Sequence, residues 1–165
     1  MLSNRTLYTH TGRKVRFYDD LVRNQVITLN LAYTRCTGSC PTGFATLRQV
    51  QEQLGDAVGR EVHMYTLTLD PEHDTPRVLR EARKEYGARS GWTFLTGSLD
   101  AVEEVRRSLG LYEPDPKVDA DRSSHSGLLV LGNDPLERWS TVPLGFKPEQ
   151  IVEALRRVRE PANRW

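Results

Sequence analysis

Thr34-Arg35-Cys36-Thr37-Gly38-Ser39-Cys40-Pro41 is the stretch that decides the fold, because it contains both cysteines of the chain. Upstream, residues 26–33 (VITLNLAY) form an apolar run without a breaker, which predicts a buried strand. Pro41 suits the first turn of a helix, where its missing N–H is not needed. The apolar residues beyond it recur at helical spacing: Phe44, Leu47, Val50 and Leu54. The sequence therefore predicts two thiols at a strand-to-helix junction, near the positive end of a helix dipole that favours thiolate.

Three interpretations of the cysteine pair stay open at this point. A structural disulfide, or two inert core thiols, would need no further partner, but a bridge across so short a loop restricts the unfolded chain little. A redox pair would cycle between dithiol and disulfide, although thioredoxin-like motifs normally have two residues between the cysteines. A soft-metal site would use two thiolates on one face of a helix start, which suits Cu(I) or zinc.

Length and composition indicate an ordinary globular protein. The chain has 165 residues, which predicts one domain over 1–165, and it is 38% hydrophobic and 27% charged. A formal net charge of +1 gives no reason to expect a nucleic-acid partner. The sequence contains neither an apolar run of bilayer length nor a signal peptide. We therefore expect either a cytoplasmic protein or one whose leader is absent from this chain.

Strand and helix patterns alternate along the sequence, which is typical of βαβ units. Two short segments around a turn at 11–13 predict an N-terminal β-hairpin. The remaining predicted strands lie at 26–33, 62–69, 92–95, 127–131 and 137–141, the helices start at Pro41, Pro76, Leu99 and Pro148, and 111–123 is a loop. A βαβ half followed by a ββα half predicts an α/β, thioredoxin-like three-layer fold with a central mixed sheet. In that plan chemistry takes place where the first central strand meets its helix, the position of the two cysteines.

His125 is the histidine best placed to join the cysteines. It lies in the segment that enters the strand at 127–131, and in the thioredoxin plan this segment runs beside the cysteine junction. Two sulfurs and one imidazole nitrogen form a ligand set that suits copper. The competing interpretation is a hydrogen-bonded loop histidine. His10, in contrast, is predicted to be an exposed strand or turn residue.

The chain resembles the Sco/SenC family of copper chaperones for cytochrome oxidase assembly over nearly its whole length. The similarity is carried by Tyr33–Cys36 with Cys40-Pro41, by Thr68–Pro76, by Phe94–Gly97 and by His125-Ser126 before a strand. The resemblance implies a single copper ion, Cu(I) or Cu(II), held by Cys36, Cys40 and His125 at a solvent-accessible rim. It also implies delivery to a client such as a cytochrome oxidase subunit, and a periplasmic or other extracytoplasmic, membrane-associated location.

The main alternative is a thiol–disulfide oxidoreductase that uses Cys36 and Cys40 to reduce client cysteines. Such an enzyme would not need His125 as a ligand. The chain also departs from the family pattern at Thr37-Gly38 and at Ser124, where carboxylates are common.

Two aspartates follow the predicted strand at 62–69. Asp70 ends that strand on the side of the predicted site, so we expect it to shape the site from an outer shell. Asp74 precedes Thr75-Pro76, and we expect either Asp74 or Thr75 to cap the next helix, with Pro76 in its first position. For Asp74 we favour such turn and cap chemistry over a role in the site.

Overall fold

A computed structural model of the chain describes residues 1–36, 40–121 and 127–160. These residues form one seven-stranded sheet with the strand order β2-β1-β5-β4-β3-β6-β7. The strands are β1 (Thr6–Thr9), β2 (Lys14–Arg16), β3 (Val26–Ala32), β4 (His63–Thr68), β5 (Trp92–Thr96), β6 (Leu128–Asn133) and β7 (Arg138–Pro143). The helices are α1 (Cys40–Leu54), α2 (Pro76–Glu85), α3 (Leu99–Ser108), α4 (Pro116–Asp119) and α5 (Pro148–Arg159). A π-helical turn covers Phe17–Val22 and a 3₁₀ turn covers Gly55–Ala57.

The centre of the sheet is parallel and its flanks are antiparallel. β3 pairs in parallel with β4, and β4 with β5, whereas β6 runs antiparallel to β3 and β7 antiparallel to β6. Parallel strands need crossover connections, which α1 and α2 supply. Because both faces of β3 and β4 are covered, these strands are buried along almost their whole length rather than in alternation, and their polar residues Thr28, Asn30, Thr66 and Thr68 are buried with the apolar ones. The carboxyl ends of β3 and β4 therefore lie side by side, with Ala32 opposite Thr68.

Two cores cover the two faces of the sheet. One packs α1, α2 and α5 against it around Phe44, Leu79 and Leu155, and the other packs α3 and the π-helical turn around Val102 and Leu21. This three-layer arrangement confirms the predicted α/β, thioredoxin-like fold class with a mixed sheet.

The N-terminal hairpin is part of the sheet. β1 pairs antiparallel with β2, as predicted, and Gly12 adopts the positive φ of 84° that the tight turn between them requires. β1 also pairs with β5, at Tyr8 opposite Thr96. The expectation of a hairpin ahead of the main fold is therefore incomplete, because β1 and β2 extend the sheet at one edge.

The segment 111–123, predicted to be a loop, contains a short helix. Asp115 caps α4 by accepting a hydrogen bond from the Lys117 amide at 2.9 Å, and Pro116 begins the helix. Both residues are standard helix-start signals. The two prolines in the segment favoured a loop assignment and hid a helix of only four residues.

Candidate metal centre

Cys36 and Cys40 lie at the predicted strand-to-helix junction. Cys36 follows the end of β3, and Cys40 is the first residue of α1. The two Cα atoms are 6.0 Å apart and the sulfur atoms are joined in a disulfide, a Cα separation within the usual range for such a bond. The pair is therefore not two inert core thiols, and a structural bridge, a redox pair and a metal site remain.

Both cysteines are buried in this oxidised arrangement. Cys36 is 8% exposed and Cys40 is 3% exposed, and both belong to the core that packs α1 against the sheet. The expectation of a solvent-accessible pair is therefore wrong for the disulfide form. The segment before Cys36 turns tightly, because the Cys36 amide donates a hydrogen bond to the Tyr33 carbonyl at 3.1 Å.

Asp70 lies where β4 ends and is paired with the residue before Cys36. Its carboxylate oxygen Oδ2 accepts hydrogen bonds from Arg35 Nε at 3.0 Å and from an Arg35 terminal nitrogen at 2.7 Å. The Asp70 side chain is 3% exposed and that of Arg35 is 60% exposed. A buried carboxylate is thus partly neutralised by a surface guanidinium at the edge of the cysteine junction.

Of the two predicted cap residues, Asp74 does not cap α2. The Thr75 hydroxyl caps this helix by accepting a hydrogen bond from the Val78 amide. The Asp74 carboxylate is completely buried and accepts hydrogen bonds from the Thr34 amide, the Thr34 hydroxyl and the Thr68 hydroxyl. Thr75 is therefore confirmed as the cap and Asp74 is not, because both residues suit a cap and one helix start needs only one of them.

His125 lies outside the described residues, so its place relative to Cys36 and Cys40 stays a prediction. The described residues on either side of it are well anchored. Asp119, in α4, is bound to Arg106 of α3 at 2.8 and 2.7 Å. On the other side, the Gly127 carbonyl accepts a hydrogen bond from the Leu144 amide at 2.9 Å.

Leu144 connects Gly127 to the start of α1. A Cβ placed on Gly43 would lie 3.3 Å from Leu144 Cδ1, which shows how closely the first turn of α1 approaches this leucine. Leu144, Cys36 and Cys40 are members of the same core. The strand entry that follows His125 is therefore packed near the helix start that carries Cys40.

Two other histidines lie away from this junction. His10 is half-buried rather than exposed, and its Nδ1 accepts a hydrogen bond from the Phe94 amide at 3.3 Å. Burial lowers the pKa of His10 from 6.5 to about 4, and the positive charge of Arg83 adds to this effect. Burial also lowers the pKa of His63. In the part of the chain that the structure describes, no three His, Cys, Asp or Glu residues cluster as a metal site.

The lowered pKa of His10 predicts acid sensitivity of the fold. Between pH 6.5 and 4 the unfolded chain binds a proton at His10 that the folded chain does not, so stability falls as the pH falls through this range. We expect His10→Asn, which retains an acceptor for the Phe94 amide, to reduce the stability difference between pH 7 and pH 4.5 by about 1 kcal/mol, allowing for solvent screening. Urea unfolding of the parent protein and the variant at both pH values measures this stability difference. The same change at exposed His73 is the control, and an unaltered pH dependence in His10→Asn would refute the assignment.

Comparison with known proteins identifies similar chains. The SCO1/SenC family pattern matches residues 3–160. A protein of Stutzerimonas stutzeri, named as copper-binding, is 30% identical over 117 residues, which are 70% of this chain and 56% of that protein. This chain thus spans little more than half the length of that relative.

Solved structures share the fold. Bradyrhizobium japonicum ScoI, solved with copper bound, superposes with a TM-score of 0.75 at 23% identity, covering 96% of this chain and 99% of that one. A SCO1/SenC family lipoprotein from Bacillus anthracis gives a TM-score of 0.78 at 18% identity, covering 96% and 95%. Within the described ranges of the present chain, no helix has the length and apolarity to span a membrane.

Proposed function

Because this chain belongs to the SCO1/SenC family, we propose that it is a copper metallochaperone that carries one copper ion on Cys36, Cys40 and His125. Its client would be a copper-receiving protein such as a cytochrome oxidase subunit. The copper is cargo, which the protein must bind firmly and then release by ligand exchange. The lipoprotein from Bacillus anthracis supports extending the proposal to an extracytoplasmic, membrane-associated location.

The observation that carries this proposal is the juxtaposition of the two cysteines. Sulfurs close enough to bond to each other, on residues whose Cα atoms are 6.0 Å apart, can also hold one soft ion between them once the disulfide is reduced. Thiolates prefer Cu(I) and zinc over hard cations. The residues present therefore fit copper. The hydrogen bond between Gly127 and Leu144, a member of the same core as Cys36 and Cys40, supports His125 as the third ligand.

Asp70 and Asp74 are both buried beside the cysteine junction, at the end of β4 and in the loop that follows it. We infer that Asp70 acts from the outer shell, because its carboxylate holds Arg35, the residue next to Cys36. Outer-shell partners of this kind orient ligands and tune their basicity. Copper would bind to deprotonated thiols, so its affinity should fall as the pH falls.

A competitive titration tests the proposal. We expect the reduced protein to bind one equivalent of Cu(I) and to retain it in the presence of excess zinc, because Cu(I) is the softer ion and binds thiolate sulfur more strongly than Zn²⁺ does. Metal analysis after gel filtration measures the stoichiometry. Zinc displacing Cu(I), or binding of less than half an equivalent, would contradict the proposal.

The disulfide in the structure supports a second candidate, a thiol–disulfide oxidoreductase that reduces client cysteines. In that role Cys36 and Cys40 would give two electrons to a client disulfide and become the protein disulfide, with two protons passing to the client thiolates. His125 would not be needed as a ligand. Turnover of client disulfides that persists in His125→Ala, in a protein that fails the copper titration, would favour this alternative.

A further inference from the structure

We propose that Asp74 is a positioning residue for Cys36. Its carboxylate holds Thr34, two residues before Cys36, against the end of β4 and thereby fixes the backbone that presents the first sulfur. This inference rests on the proposed function for its consequence in copper binding, although its geometric part can be tested without copper.

The contacts of Asp74 join two strand ends. The Thr34 amide donates to Asp74 Oδ2 at 3.0 Å, and the Thr34 hydroxyl donates to Oδ1. The Thr68 hydroxyl, at the last residue of β4, donates to Oδ2 at 2.7 Å. One carboxylate thus links the residues that follow β3 to the end of β4.

Burial makes this arrangement costly to disturb. Asp74 is 0% exposed, and its three donors are neutral groups of Thr34 and Thr68. A buried amide or hydroxyl that loses its acceptor destabilises the folded state by the whole free energy of its desolvation. The hydrogen bonds therefore hold Thr34 in one conformation, and the tight turn from Tyr33 to Cys36 transmits that constraint to the cysteine.

Two further contacts connect Asp74 to the site. The loop that carries it also carries Asp70, which binds Arg35, so consecutive residues before Cys36 are both held by carboxylates of the β4–α2 loop. Asp74 also lines a small cavity together with Thr34 and with Phe44 of α1. The clamp, defined here as Asp74 with Thr34 and Thr68, thus contacts the segment before Cys36 and borders the helix that begins at Cys40.

The clamp is separable from the folding role of its neighbours. Thr75 caps α2 and Pro76 begins it, so the helix start does not require the Asp74 side chain. Replacement of Asp74 by Asn can retain all three hydrogen bonds, because one amide oxygen can accept from the Thr34 amide and the Thr68 hydroxyl while the NH₂ group donates to the Thr34 hydroxyl. Replacement by Ala removes all three.

The test compares Asp74→Asn with Asp74→Ala. We expect Cu(I) affinity to fall about 10- to 100-fold in Asp74→Ala and to stay within about threefold of the parent protein in Asp74→Asn, as for other partners that orient metal ligands. Thr75→Ala is the control, since it destabilises α2 without touching Thr34. A merely structural role would make affinity follow stability in all three variants.

A copper-free measurement separates this inference from the proposed function. In the equilibrium of the protein disulfide and two glutathione thiols with the protein dithiol and glutathione disulfide, we expect Asp74→Ala to favour the dithiol by at least about threefold, because the cysteines are less well held for bonding. Asp74→Asn should not shift it. If the parent protein binds no copper, the proposed function fails while this equilibrium still decides the role of Asp74.

The inference is overturned if Asp74→Ala matches the parent protein in this equilibrium, or if Asp74→Asn is as impaired as Asp74→Ala. Should Asp74→Ala fail to fold, Thr34→Val removes only the hydroxyl donor and should shift the glutathione equilibrium in the same direction by a smaller factor. An unshifted equilibrium in a folded Thr34→Val protein would then overturn it.

Discussion

Cys36→Ala and Cys40→Ala should each abolish stoichiometric Cu(I) binding. Two thiolates supply most of the affinity of a soft site, and a single cysteine with a histidine cannot replace them. The two residues lie at the junction of β3 and α1 with their sulfurs bonded to each other, so removal of either leaves no second sulfur in place. We expect the affinity to fall by at least about 1,000-fold, which corresponds to about 4 kcal/mol.

Competition of each variant with a Cu(I) chelator measures the loss. His73→Ala provides a matched control, because His73 is an exposed potential ligand in the β4–α2 loop, outside the proposed set. Both cysteine variants also lose the disulfide, so far-UV circular dichroism of the reduced parent protein and of each variant is the reference for folding. Stoichiometric binding that survives in either cysteine variant, with an affinity within tenfold of the parent, contradicts the site.

Among the proposed variants, Asp119→Ala should cause the largest decrease in the free energy of unfolding. Asp119 in α4 accepts two hydrogen bonds from the Arg106 guanidinium, at 2.8 and 2.7 Å, and one from the Glu113 amide at 2.9 Å. The Asp119 and Arg106 side chains are only 6% and 4% exposed. These bonds hold the pKa of Asp119 well below its ordinary value. Removing one partner of a buried ion pair leaves a charge with too little compensation.

We expect the free energy of unfolding to fall by about 3 kcal/mol in Asp119→Ala, the lower end for a broken buried pair, because Glu103 still binds Arg106. Urea unfolding at pH 7 measures it. Asp119 also pairs with Arg107, and the Arg107 side chain is 53% exposed. Arg107→Gln, which removes this surface partner, should lower the free energy of unfolding by less than about 1 kcal/mol. An equal decrease in the free energy of unfolding in the two variants would show that the buried pair stabilises the fold no more than the surface pair does.

The Asp119–Arg106 ion pair also bears on the proposed site. α4 is the last described helix before His125, and the pair with Arg106 fixes it to α3. Loss of this pair would allow α4 to shift relative to α3, and so would change where the described chain leads into the segment that contains His125. We therefore expect Asp119→Ala to weaken copper binding as well, to a smaller extent than the cysteine variants.

Local sequence signals were sufficient for most of the fold. The apolar run at 26–33 and Pro41 placed the strand-to-helix junction correctly, because burial and helix-start chemistry act over a few residues. The same holds for Thr75-Pro76 as the start of α2, where one of the two proposed caps was correct. The thioredoxin-like order of elements then placed both cysteines at the junction of β3 and α1.

Local sequence signals did not predict the contacts between residues that are distant in the sequence. Nothing in residues 70–76 distinguishes an aspartate that caps a helix from one that binds Thr34, 40 residues earlier, because both belong to the same turn chemistry. The pairing of Arg35 with Asp70 and the pairing of β1 with β5 are likewise long-range. The third ligand differs from these, since the role of His125 rests on family resemblance and fold and stays a prediction.

The coordination of the bound metal tests the central claim most directly. X-ray absorption of the reduced, Cu(I)-loaded protein should show two sulfur ligands and one imidazole nitrogen, and the imidazole scattering should disappear in His125→Ala while both sulfurs remain. A two-sulfur spectrum in the parent protein that is unchanged in His125→Ala would contradict the Cys36, Cys40 and His125 site.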